Sequence, residues 1–278
     1  MKSILMIPAM ACILAGTLVS CSKTNTDAPA PGGLSESEGR MITAAGFNGN
    51  WAEKRPDGTF LIEGDIALTS EQLREMAGQA IIHELIFPTE EHYRTTNVVS
   101  TPASGQRTIT VRLGSGFPAH YSTGLDQALG RYNNLNLKIR FQRVTSGGNI
   151  VISAANLGTS GGGCILGQAS GFPSGGNPSS GFTLSNSSCA TSYLNTANRA
   201  DEVMAHEIGH CIGFRHTDYM NRSSCGQNSN EGSAGIGAVH ISGTPTTVSG
   251  SYNSWMMACT NNNPAFSASD GTALNYVY

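Results

Sequence analysis

The chain has 278 residues, enough for one sizeable domain plus a tail or a small second module. Only 13% of the residues are charged and the net charge is -3, so no basic stripe exists to neutralise phosphates, and nucleic-acid binding is not supported. Glycine contributes 34 residues, and Ser, Thr and Asn crowd the second half, the composition of a chain with many turns and polar loops, as in secreted enzymes.

Lys2 followed by a mostly apolar run from Ile4 to Val19 reads as a signal peptide over residues 1–20, too short for a comfortable membrane span. It ends in Leu18-Val19-Ser20-Cys21, which resembles the bacterial lipobox. In that reading Cys21 is the lipidated first residue of the mature chain. The protein is then extracytoplasmic and anchored to a bacterial membrane, at the outer membrane or cell surface. The plainer reading is an ordinary secretion signal with a chance cysteine. Residues 21–45 read as a flexible tether, small and polar with two prolines up to Gly33.

Residues 46–106 read as a small N-terminal module and its connection. Thr59 to Leu68 suggests a strand or hairpin arm. Thr69 and Gln72 form a capping-box pattern at the start of a helix. Arg94 to Gln106 reads as a polar connection. The main domain is expected over residues 107–278. Ile109, Val111 and Leu113 alternate with Thr108, Thr110 and Arg112, a strand with one buried side. Leu125, Ala128, Leu129 and Tyr132 recur at helical spacing, so Thr123 to Asn133 is a helix. Leu137 to Val144 alternates again, and Asn149 to Ser153 is a short apolar strand. This order implies an α+β fold, a twisted mixed sheet with helices packed on it. Gly158 to Ser188, rich in Gly and Ser, reads mostly as loop.

Asn198 to Gly213 reads as a helix, capped by Asn198, with Asp201 and Glu202 in its first turn and a buried face of Val203, Met204, Ile208 and Ile212. Its C-terminal half and the following turn read His206-Glu-Ile-Gly-His210-Cys-Ile-Gly213-Phe-Arg-His216. Two histidines four apart share one helix face, and both rings can reach one ion at about 2.0–2.1 Å. Gly213 can adopt a left-handed conformation and turn the chain back, so that His216 supplies a third ligand. Three protein ligands leave a fourth position open, the arrangement of a catalytic rather than a structural zinc. Glu207 follows the first ligand and is placed as general base. His83, His92, His120 and His240 have no ligand spacing. Five cysteines remain after Cys12 and Cys21, and the expected pairs are Cys164–Cys189 and Cys225–Cys259, with Cys211 a buried thiol in the helix.

The HExxHxxGxxH pattern is the metzincin signature, and its surroundings resemble the bacterial HEIGH (dual-action) metallopeptidases. The resemblance covers about Arg107 to Tyr278, and more weakly the module before it. It implies a zinc endopeptidase with protein or peptide substrates, and a smaller C-terminal subdomain carrying a Met-turn. Ser254-Trp255-Met256-Met257 matches the Ser-x-Met pattern of that turn, which points to Met256, with Met257 its neighbour. Phe266 to Tyr278 is similar to the C-terminal helix of many metzincins. The tyrosine that some metzincins place two residues after the methionine is Ala258 here. Asp218 either holds a side chain or structural ion or lies in a solvated loop. The resemblance leaves a structural calcium ion open and names no residues for it.

Upstream, Ile62-Glu63-Gly64-Asp65 resembles the Phe-x-Gly-Asp switch in astacin-type pro-segments, with Ile62 in place of phenylalanine. There the aspartate sits on the zinc. The plainer reading is a strand ending in a Gly-Asp turn with Asp65 exposed. A rival to the enzyme as a whole is a lipid-anchored binding or adhesive protein that keeps a catalytically silent metzincin fold. The sequence does not indicate the oligomeric state.

Overall fold

The computed structural model describes residues 31–78, 92–232, 236–245, 253–260 and 265–278. The signal peptide, Cys21, His83 and Pro88 lie outside the described residues.

Helix α1 (Glu36–Ala44) begins where a tether was expected. Ser35 and Glu38 form a capping box, and Leu34 and Ile42 are buried, which gives this segment a reason to fold. Strands β1 (Ala52–Lys54), β2 (Phe60–Ile62) and β3 (Ile66–Leu68) form an antiparallel meander. Helix α2 (Ser70–Gly78) follows, capped as expected: Thr69 N donates to Gln72 Oε1 (2.8 Å) and Gln72 N to Thr69 Oγ1 (3.2 Å). A short β4 (Tyr93–Arg94) leads to β5 (Arg107–Leu113). Helix α3 (Ala119–Asn134), β6 (Ile139–Val144) and β7 (Ile150–Ala155) match the expected strand–helix–strand–strand order.

The segment expected to be loop instead carries four strands: β8 (Thr159–Ser160), β9 (Gly163–Cys164), β10 (Gly167–Ala169) and β11 (Gly181–Ser185). Phe182 and Leu184 alternate into the core, a two-residue signal submerged in glycine and serine. Helices α4 (Ser188–Tyr193) and α5 (Ala197–Ile212), then β12 (Val239–His240) and α6 (Ala268–Val277), complete the described elements.

Eight strands form one mixed sheet in the order β1-β2-β3-β10-β11-β7-β5-β6. The N-terminal meander thus continues the main sheet, joined where β3 runs parallel to β10 and Ala169 N donates to Asp65 O (2.7 Å). Helices α3 and α5 pack together over the sheet, and one apolar core lies between them and Ile109, Val111, Ile139, Ile150 and Ile152. A second apolar cluster gathers Leu34, Ile42, Phe60, Ile62, Ile66 and Leu73, and reaches Phe172 and Ile236 of the main domain.

Candidate active site

Helix α5 starts earlier than expected, with its cap two residues upstream. Thr196, not Asn198, is its cap, its side chain accepting from Arg199 N, and this moves Asp201 and Glu202 out of the first turn. They pair instead with Arg131 and with Arg199 and Tyr193. The far end of the helix is as expected: Gly213 is left-handed (φ 109°) and its N–H bonds back to Gly209 O and His210 O. The chain then doubles back and delivers His216.

The three histidines converge. His206 Nε2 and His210 Nε2 lie 3.1 Å apart. Asp65 Oδ2 lies 2.7 Å from His216 Nε2, 3.2 Å from His206 Nε2 and 3.6 Å from His210 Nε2. All four donor atoms fall within 4.8 Å of one another. The opposite ring nitrogens are each occupied: His206 Nδ1 by Trp255 O (2.9 Å), His210 Nδ1 by Phe214 O (2.9 Å) and His216 Nδ1 by Glu231 Oε1 (2.7 Å). A carbonyl only accepts, so Nδ1 of His206 and His210 carries the proton and the Nε2 lone pairs face the cluster. This donor set, three imidazoles and a carboxylate, suits a tetrahedral zinc ion.

Asp65 is not an exposed turn residue. It closes the turn between β2 and β3, where Glu63 (φ 57°) and Gly64 (φ 94°) are left-handed and aim the carboxylate at the histidines. Its Oδ1 is buried without a hydrogen-bond partner. Burial favours the neutral acid, but the neighbouring His216 and then His210 outweigh it and hold Asp65 well below the usual carboxylate range. Burial lowers His210 to about 4. It opposes the His216 cation too, yet Asp65 and Glu231 raise that group to about 10.

Glu207 is buried one residue beyond His206, on the face of α5 turned to β10. Burial, and then the charge of Asp65, push its carboxyl well above the usual range. Its room is made by Gly167: a Cβ there would lie 2.8 Å from both Cγ and Cδ of Glu207. Glu207, His206, Val203, Tyr193, Met257 and Asp65 all line one cavity of about 790 Å³.

The Ser254–Met257 turn packs against the helix that carries His206 and His210. Met256 is buried, Thr217 N donates to its carbonyl (2.7 Å), and its Sδ presses on Gly209, where a Cβ would also come within 3.0 Å of Trp255 Nε1. Asp218 is a buried tie, not a solvated loop residue: Oδ2 accepts from Ser224 N (2.9 Å) and Oγ (2.6 Å), and Oδ1 accepts from Ala258 N (2.9 Å). Of the unassigned histidines, His92 pairs with Asp270 in the core (2.7 Å), His120 meets Leu194 O (2.8 Å) and His240 meets Thr244 (3.0 Å). The disulfides Cys164–Cys189 and Cys225–Cys259 form as expected, and Cys211 is a buried free thiol. Two disulfides fit an oxidising, extracytoplasmic compartment.

Four residues escaped the sequence reading. Glu63 pairs with Arg215, and Arg222 pairs with Glu231, the residue that orients His216. A single charged residue between Phe214 and His216 was the available signal for Arg215. Arg222 and Glu231 stand in polar loops with nothing to set them apart, and Glu63 is the variable position of the Ile62–Asp65 motif.

Among solved structures the chain is similar to myroilysin (17% identity, 64% of this chain and 82% of that one, TM-score 0.38) and to high choriolytic enzyme 1, a hatching enzyme zinc-protease from Oryzias latipes, the medaka fish (18%, 65% and 93%, TM-score 0.37). A second myroilysin structure aligns over 72% of this chain and 91% of that one at 18% identity and a TM-score of 0.37. No curated protein matches the sequence. The profile of the dual-action HEIGH metallo-peptidases matches residues 60–278, and the chain belongs to that family of metallopeptidases.

Proposed function

We propose that the chain is a zinc-dependent endopeptidase, and that the form described is its latent state with Asp65 as fourth ligand to the metal. The convergence of three histidine Nε2 atoms on Asp65 Oδ2, with Glu207 alongside, carries this reading. His206, His210 and His216 hold the ion. When bound, zinc polarises the scissile carbonyl and acidifies water. Glu207 takes the proton of the attacking water and delivers it to the leaving amine. Met256 supports the histidines from below. The peptide lies extended along β10, the edge that β3 covers here.

Activation requires Asp65 to leave, through cleavage that removes residues 41–88. Lipidation of Cys21 would keep the N-terminal part on a bacterial membrane; fatty-acid labelling that Cys21→Ser abolishes would support the anchor, and an unlabelled wild type would refute it. The space kept for Glu207 by Gly167 favours an enzyme over a silent adhesive protein. The test is a zinc assay beside a peptidase assay. The cleaved wild type should hold about one zinc per chain and cut peptides. Glu207→Ala should keep the zinc and lose turnover. Equal turnover in the two proteins would refute the mechanism.

A further inference from the structure

The Glu63 side chain is fully buried, and it lies two residues from Asp65 in the segment that blocks the site. Its carboxylate is gripped by Arg215, and Arg222 Nη1 donates both to Glu63 O (2.7 Å) and to Glu231. Glu63 and Arg222 line the same cavity as His206 and Glu207. Neither guanidinium depends on Glu63 for its position. Arg215 also donates to Gly232 O (2.7 Å) and stacks on Tyr219 (4.5 Å), and Arg222 donates from Nε to Gln227 Oε1 (2.9 Å).

Once residues 41–88 are gone, the two cations face one carboxylate, Glu231, which also serves His216. A buried guanidinium without a partner is costly, so the vacated place selects for an anion. A carboxylate matches the planar fork of arginine, whereas an amide or an ammonium does not. The present pairing is also incomplete: Glu63 Oε2 and Arg215 Nε are both buried without partners. The left-handed turn at Glu63 restricts its approach, and a free peptide is not so restricted.

We propose that Arg215 and Arg222 form a subsite for an acidic side chain of the peptide substrate, a place that Glu63 fills in the latent form. The inference rests on the peptidase reading and names its substrate class. The test starts from the zinc-loaded full-length chain, activated by limited proteolysis. It is given matched peptide pools that carry Glu, Gln or Lys at each position flanking the cut. At one position Glu should exceed Gln in kcat/KM by about 10-fold or more, with Lys lowest. In Arg222→Gln that ratio should collapse toward one, and in Arg222→Lys, which keeps the charge, part of it should return. An active enzyme indifferent to charge at every position overturns the subsite alone, as does a preference that persists unchanged in Arg222→Gln. A zinc-loaded, cleaved protein that cuts no pool overturns the peptidase reading and the subsite together.

Discussion

Gly209 lies directly against Met256: a Cβ at position 209 would collide with Met256 Sδ and come within 3.0 Å of Trp255 Nε1. A glycine inside a helix costs about 1 kcal/mol relative to alanine, so it needs a packing reason, and the Met256 side chain against it supplies one. Gly209→Ala should therefore lower stability despite the gain in helix propensity, by up to about 2 kcal/mol net, since overpacking costs about 1–3 kcal/mol. Thermal melts of the single and double variants check the cause. In a Met256→Ala background the same Gly209→Ala change should be neutral or stabilising.

Gly167 does for Glu207 what Gly209 does for Met256. Gly167→Ala should push the Glu207 side chain away from its position while leaving the three histidines in place. The cleaved variant should bind zinc as the wild type does and lose about 100-fold in kcat, the usual consequence of misplacing a catalytic group by about 1 Å. Zinc content measured beside turnover separates this outcome from simple unfolding.

The metal-free cluster holds a proton that zinc must displace. His216 titrates at about 10, so in the metal-free protein it is protonated at neutral pH, whereas His210, at about 4, is not. Zinc uptake at pH 7 should release about one proton per ion from this cluster. Because Asp65 is the larger of the two charges that raise His216, Asp65→Asn lowers the pKa of that histidine and should reduce the release. Calorimetric titration in buffers of different ionisation enthalpy reads the number directly.

Much of the site was legible because its spacing is local. His206, His210 and Glu207 sit on one helix, Gly213 sets the turn, and His216 follows within a few residues. The strands β5 and β6 were readable from apolar alternation and β7 as a short apolar run, and the two expected cysteine pairs are the ones that form. What could not be read depends on distant partners. The alternation of Phe182 and Leu184 is two residues long and surrounded by Gly and Ser, so β10 and β11, next to each other in the middle of the sheet, looked like loop. Thr196 and Asn198 are both good caps, and only the observed bond from Arg199 N decides between them. Glu63, Arg215, Arg222 and Glu231 acquire meaning only when the β2–β3 turn docks on the loop after His216, a meeting across more than 150 residues of chain. Asp65 lies between these cases: its short motif was visible, but its burial against the histidines was not.

If Asp65 occupies the metal's fourth position and silences the enzyme, uncleaved, zinc-loaded wild type and uncleaved Asp65→Ala should differ on one fluorogenic peptide. Both proteins should carry about one zinc per chain. The uncleaved wild type should be silent and Asp65→Ala should turn over clearly, with the wild type gaining activity only after its N-terminal segment is cut. Equal turnover in the two uncleaved proteins would contradict this role of Asp65.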